Sequence, residues 1–139
     1  IDTNQTGTVY GSSANGSDNF FGILTGPVIR CLVTESANVN NTALDGSTTL
    51  SLNTWYMIGT TVNLDTIKVY LNGVEDGTRT VSFTIGAWNN SLARVGRRTN
   101  STSTWEFGGK IQTVYVYDKV LREDEIYKIY NETKGRFNL

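Results

Sequence analysis

The sequence predicts an all-β domain closed by one short C-terminal helix. Three observations carry this. Short runs rich in Val, Ile, Thr and aromatic residues alternate with turn clusters. The segment Ile67-Lys68-Val69-Tyr70-Leu71 has a period of two and runs into Asn72-Gly73. Only residues 121–130 carry a helical repeat.

The strands are expected in this order. Thr6 to Tyr10 comes first, followed by a turn at Asn15, Gly16, Ser17 and Asp18. Asn19 to Leu24 and Val28 to Thr34 form the next pair, divided by Gly26-Pro27. The polar stretch Glu35 to Ser51 reads as a loop with a short strand near Ala43. Trp55 to Val62 is aromatic at its start and β-branched at its end. In Thr66 to Leu71, Ile67, Val69 and Leu71 face one way, Lys68 and Tyr70 the other. Asn72-Gly73 suits the positive φ values of a type I′ turn, so Val74 onward should return antiparallel. Val81 to Ile85, Leu92 to Arg97 and Lys110 to Tyr117 complete the set.

Arg122 to Tyr130 is the expected helix, with Leu121, Ile126, Ile129 and Tyr130 on one side. Glu123, Asp124 and Glu125 crowd its first turn, where the helix dipole favours negative charge. Asn131 and Gly135 compete as its end.

Composition narrows the function. A chain of 139 residues is expected to be a single domain, 1–139. Net charge is −1, with 12 basic and 13 acidic residues and no basic stripe, so nucleic acid is not the expected partner. Arg94, Arg97 and Arg98 are the basic cluster, and a solvated strand end explains them. No apolar run nears the roughly 18 residues of a spanning segment, so membrane insertion is not expected. Cys31, the single cysteine, lies in the apolar run Val28 to Val33 and reads as a small core residue. The absence of histidine excludes His-dependent triads and His-ligated zinc. No strand alternates the paired carboxylates that glycoside hydrolysis needs, so the chain is not expected to be an enzyme.

Two kinds of candidate site emerge, one for a ligand and one for calcium. Trp88 and Trp105 lie in polar loops, with Asn89, Asn90, Arg97 and Arg98 nearby in sequence. An exposed ring covers the apolar face of a sugar while amides take its hydroxyls, so these six residues are the candidate ligand site. The competing reading is that both rings plug the ends of the fold. Asn15, Asp18 and Asn19 are a candidate calcium site, and Asn63 with Asp65 a second. Turn-forming side-chain chemistry explains both as well. No cofactor is expected beyond that calcium candidate.

Several pieces, in order, resemble the laminin-G-like modules of the concanavalin A-like superfamily. They are Leu50-Ser51-Leu52-Asn53-Thr54-Trp55-Tyr56, then Ile67 to Gly73, then Ala93-Arg94-Val95-Gly96. Phe107-Gly108-Gly109-Lys110-Ile111 through Tyr117, and Val120-Leu121 through Tyr130-Asn131, complete the match. The resemblance implies a two-sheet antiparallel jelly-roll sandwich with Trp55 in its core and Lys110 to Tyr117 as its last long strand. It also implies an apolar strand upstream of Thr6, for which this sequence has little room. Two positions depart from the pattern: Gln112 and Thr113 replace an acidic pair, and Arg122 opens the helix where Ser or Asp is usual.

The tail of 131–139, with Tyr130-Asn131-Glu132-Thr133-Lys134-Gly135-Arg136-Phe137, is similar to tails of structural proteins of bacteriophages and other viruses. That resemblance implies a non-catalytic virion module of a capsid, tail or fibre. Its partners would be neighbouring virion proteins, a host surface or glycans, its location the virion or the extracellular space, and it would suit a homo-oligomer. The alternative is a carbohydrate-binding module of a larger secreted or cell-surface adhesin.

Overall fold

The computed structural model describes residues 7–14, 17–24, 26–35, 40–86, 93–97 and 106–137. They form two antiparallel sheets and one C-terminal helix, a sandwich of the expected class. The strands are β1 (Gly7–Ala14), β2 (Ser17–Leu24), β3 (Val28–Thr34), β4 (Asn41–Asp45), β5 (Ile58–Asn63), β6 (Thr66–Leu71), β7 (Val74–Thr80) and β8 (Arg94–Val95). The helix α1 spans Glu123–Thr133 and runs into a 3₁₀ turn, Lys134–Arg136. One sheet has the order β4-β3-β2-β1-β8, the other β5-β6-β7.

The core lies between the sheets, with β3 and β4 against β6. Strand alternation puts Ile29, Cys31 and Val33 inward from β3, and all three are fully buried. Ile67 and Val69 answer them from β6. Phe21, Ile23, Leu44 and Leu50 fill the space around them. Each large apolar side chain so buried contributes about 1.5–3 kcal/mol relative to an exposed one. Cys31 is a core residue, as its apolar run predicts, and burial pushes its thiol pKa up to about 12.

The Asn72-Gly73 turn forms as expected, with φ of 51° and 83° and Leu71 opposite Val74. Met57 N–H donates to the Asn72 side-chain oxygen at 3.0 Å, and Asn72 N–H donates to Met57 O at 2.8 Å. The helix packs over this hairpin. A methyl on Gly73 would lie 2.9 Å from Cβ of Tyr130. At its start, Arg122 N–H donates to the Glu125 carboxylate at 2.8 Å, the half of a capping box that does not need an acceptor on the N-cap side chain. The helix continues through Asn131 to Thr133, and Gly135 sits within the 3₁₀ turn.

Five expectations need correction. Ser17 and Asp18 belong to β2, paired toward Ala14 and Ser13, not to a turn. Val81 to Ile85 is not a strand; it contributes a lone bridge, Ile85 to Glu35. Leu92 to Arg97 shrinks to Arg94–Val95 among the described residues. Lys110 to Tyr117 has strand composition but forms no ladder, because an open groove separates it from β5. Trp55 is also not a core residue. It is 37% exposed at that groove, with the ring of Phe137 at 5.4 Å.

Candidate functional site

The five-stranded sheet and the end of β7 together build a polar cleft of about 410 Å³. That volume lies within the roughly 300–1,000 Å³ of small-ligand sites. On one side are Glu35, just past β3, and Asn40 to Thr42, entering β4. Arg79 to Phe83, at and beyond the end of β7, form the other.

Hydrogen bonds hold these walls in place. Glu35 N–H donates to Asn40 O, and Asn40 Nδ2 to the Glu35 carboxylate, each at 2.8 Å. Arg79 Nη1 donates to Ala43 O at 2.5 Å across the two sheets. Gly86 N–H donates to Thr34 O at 2.8 Å, which anchors the chain leaving the cleft. The cleft thus offers a carboxylate, amides, hydroxyls, a guanidinium and the half-buried ring of Phe83. This set suits a polyhydroxylated ligand: oxygens and N–H groups exchange hydrogen bonds with hydroxyls while the ring takes an apolar face. Among the described lining residues Glu35 is the one carboxylate.

The candidates read from sequence fall differently. Trp88, Asn89, Asn90, Arg98 and Trp105 lie outside the described residues, as does Asn15. Arg97 is exposed, bridges to Glu106 and pairs with its carboxylate at 3.7 Å. It sits beside β8, at the opposite edge of the five-stranded sheet from β4 and the cleft. Asp18 lies in β2, and Asn19 is buried, with its Oδ1 accepting the Thr34 N–H at 2.8 Å. Among the described residues, no three His, Cys, Asp or Glu side chains converge as a metal site.

A second concavity, of about 1430 Å³, opens between β5 and residues 107–121. Its lining includes Ile58, Val62, Ile111, Val114, Leu121 and Ile129. No helix among the described residues is long and apolar enough to cross a membrane.

Sequence reading missed the cleft. Glu35 and Arg79 are far apart in the chain, and the packing of β4 against β7 across the two sheets is what unites them. The local signal was limited to the clustering of Glu35, Asn40, Asn41 and Thr42 in one polar stretch.

A family model described as the concanavalin A-like lectin/glucanases superfamily, of the laminin-G type, matches residues 1–127. No curated protein sequence matches the chain. Solved structures of similar fold include these two. One is an S-layer domain-containing protein (residues 221–444) from Clostridium thermocellum, 18% identical over 94% of this chain and 65% of that one, with a TM-score of 0.50. The other is the binding domain of Paraclostridial Mosquitocidal Protein 1, 15% identical over 90% of this chain and 31% of that one, with a TM-score of 0.57. The chain therefore spans less than two thirds of either.

Proposed function

The chain belongs to the concanavalin A-like lectin/glucanases superfamily, and from that premise we propose that it is a non-catalytic glycan-binding module acting at or outside the cell surface. The observation that carries this reading is the polar cleft, where Glu35, Asn41, Thr42 and Arg79 meet the ring of Phe83. A single carboxylate among those residues favours holding a sugar over cleaving one, because glycoside hydrolysis uses two. The chain holds no histidine to take the place of the second. Trp88, Asn89 and Asn90 follow Gly86 within four residues of sequence, and they are proposed to take part in glycan binding. The two similar structures, an S-layer domain-containing protein and the binding domain of a mosquitocidal protein, fit a module that works on surfaces.

The test is titration of a bound glycan against cleft variants. Asn41→Ala, at an exposed wall position, should weaken binding about tenfold while leaving the melting temperature in place, and Thr42→Ala, half-buried on the face of β4 that carries Leu44, should weaken it about tenfold with a small loss of stability. Unchanged affinity in both would remove the cleft from the account.

The second reading is a virion structural module, carried by the resemblance of residues 130–137 to phage and viral tails. In such an assembly Lys134, Arg136 and Phe137 would anchor a neighbour. Here Phe137 faces Trp55, and the Lys134 ammonium sits 5.4 Å from the Tyr130 ring. Anchoring would need both contacts to open, so the glycan reading comes first. Sedimentation separates the two: a lattice protein self-associates, whereas a lectin module binds sugar as a monomer.

A further inference from the structure

Arg79 lines the polar cleft with only one corner of its guanidinium engaged. Its Nη1 donates to Ala43 O at 2.5 Å, across the two sheets. The Nε–Nη2 edge, with its parallel N–H donors, has no acceptor among the described residues. Elsewhere in this chain the same edge holds carboxylates. Arg30 grips Asp45 through Nε and Nη2 at 2.5 and 2.6 Å. Arg122 grips Asp124 through the same pair of nitrogens at 3.0 and 3.1 Å. The planar fork matches two carboxylate oxygens at once, which a lysine does not. Nearby carboxylates are committed to other partners. Asp45 belongs to Arg30, Glu75 to Lys68, and Asp76 to the hydroxyls of Ser47 and Thr48. Glu35 lines the same cleft, yet it accepts the Asn40 amide at 2.8 Å and forms no ion pair with Arg79.

We propose that the cleft takes an acidic sugar, with the sugar carboxylate on the Nε–Nη2 edge of Arg79 and its hydroxyls on the amides and hydroxyls of the walls. This rests on the glycan-binding reading of the cleft and names the class of sugar. Asn41, Thr42, Thr80 and Ser82 supply uncharged donors and acceptors around the guanidinium. Glu35 accepts from ring hydroxyls and repels a second negative charge. One guanidinium set against one carboxylate thus suits a sugar with a single charge better than a phosphate dianion. The bond to Ala43 O restrains the guanidinium before a ligand arrives, so less side-chain freedom is lost on binding. A sugar carboxylate occurs at a chain end, as in a sialic acid, and along a chain, as in a uronic acid. The chemistry at Arg79 is the same for both.

The test is calorimetric titration with matched probes. Sialyllactose is compared with lactose, and trigalacturonic acid with its methyl ester; sulfated lactose is the control for charge without a carboxylate. At least one acid should bind about tenfold or more tighter than its neutral counterpart, and which acid does so tells a chain end from a chain interior. Arg79→Gln should bring that ratio close to one. Arg79→Lys, which keeps the charge without the fork, should lose most of the preference. The ratio is taken within each variant, so a loss of stability from breaking the Ala43 bond does not imitate the result. Three outcomes would overturn the inference while leaving glycan binding in place. They are equal binding of acidic and neutral sugars, an acid preference that survives in Arg79→Gln, and tighter binding of sulfated lactose than of both acids. Failure of every sugar to bind, neutral ones included, would end the glycan reading and this inference with it.

Discussion

Lys68 on β6 holds Glu123, the first residue of α1, at 2.7 Å, and the same ammonium holds Glu75 of β7 at 2.7 Å. One cation thus joins two strands and the closing helix. The bond to Lys68 keeps the Glu123 carboxyl below its ordinary value of 4.5, and those to Glu123 and Glu75 raise the pKa of Lys68. A carboxyl lowered in the folded state stabilises it above the ordinary value, and that contribution disappears as pH falls through the folded value. The melting temperature should therefore fall as pH drops from 5 towards 3, and Glu123→Gln should flatten part of that fall. The pair is solvent-exposed, so added salt should reduce the difference between variant and wild type.

Gly73 is required twice, by its φ of 83° and by the closeness of Tyr130 and Tyr127. Gly73→Ala should cost about 1–2 kcal/mol for the left-handed backbone alone, and more because the helix must shift. Denaturant unfolding measures this. An unchanged midpoint would mean that α1 does not pack on the hairpin.

Cys31 is fully buried, and desolvation raises its thiol pKa to about 12, with a hydrogen bond from Thr60 opposing. In native conditions at pH 8 it should resist thiol reagents, and it should react at once in denaturant. A raised thiol pKa stabilises the fold below the unfolded value near 9, and that stability is lost as pH rises from 9 towards 12.

Asn19 sits at 2% exposure and serves the backbone of β3 through Thr34. Asn19→Ala should cost about 1–3 kcal/mol by removing the buried side-chain oxygen that accepts the Thr34 N–H. A chelator should leave the melting of the wild type unchanged. A large chelator-induced loss would restore the calcium reading of Asn15, Asp18 and Asn19.

What was legible in the sequence was local. Val28 to Thr34 and Thr66 to Leu71 appear with the predicted bounds, because Gly26-Pro27 delimits an apolar run in the first and a period of two ending at Asn72-Gly73 marks the second. What was not legible depends on distant partners. Lys110 to Tyr117 has the β-branched and aromatic content of a strand, yet composition does not say whether an edge lies within reach. Trp55 is a large apolar residue, but its burial depends on what fills the groove beside it. The cleft depends on the approach of Arg79 to Ala43 across two sheets, for which no spacing in the chain is a signature. Trp88 and Trp105 lie outside the described residues, so their part in binding is a matter for mutagenesis.

The most direct test of the glycan-binding account is a glycan array probed with the purified chain, with its mass in solution measured on the same sample. The account predicts a monomer that binds a defined set of glycans, with the signal lost in a chain carrying both Asn41→Ala and Thr42→Ala. A stable oligomer that binds no glycan would contradict it and favour the assembly role.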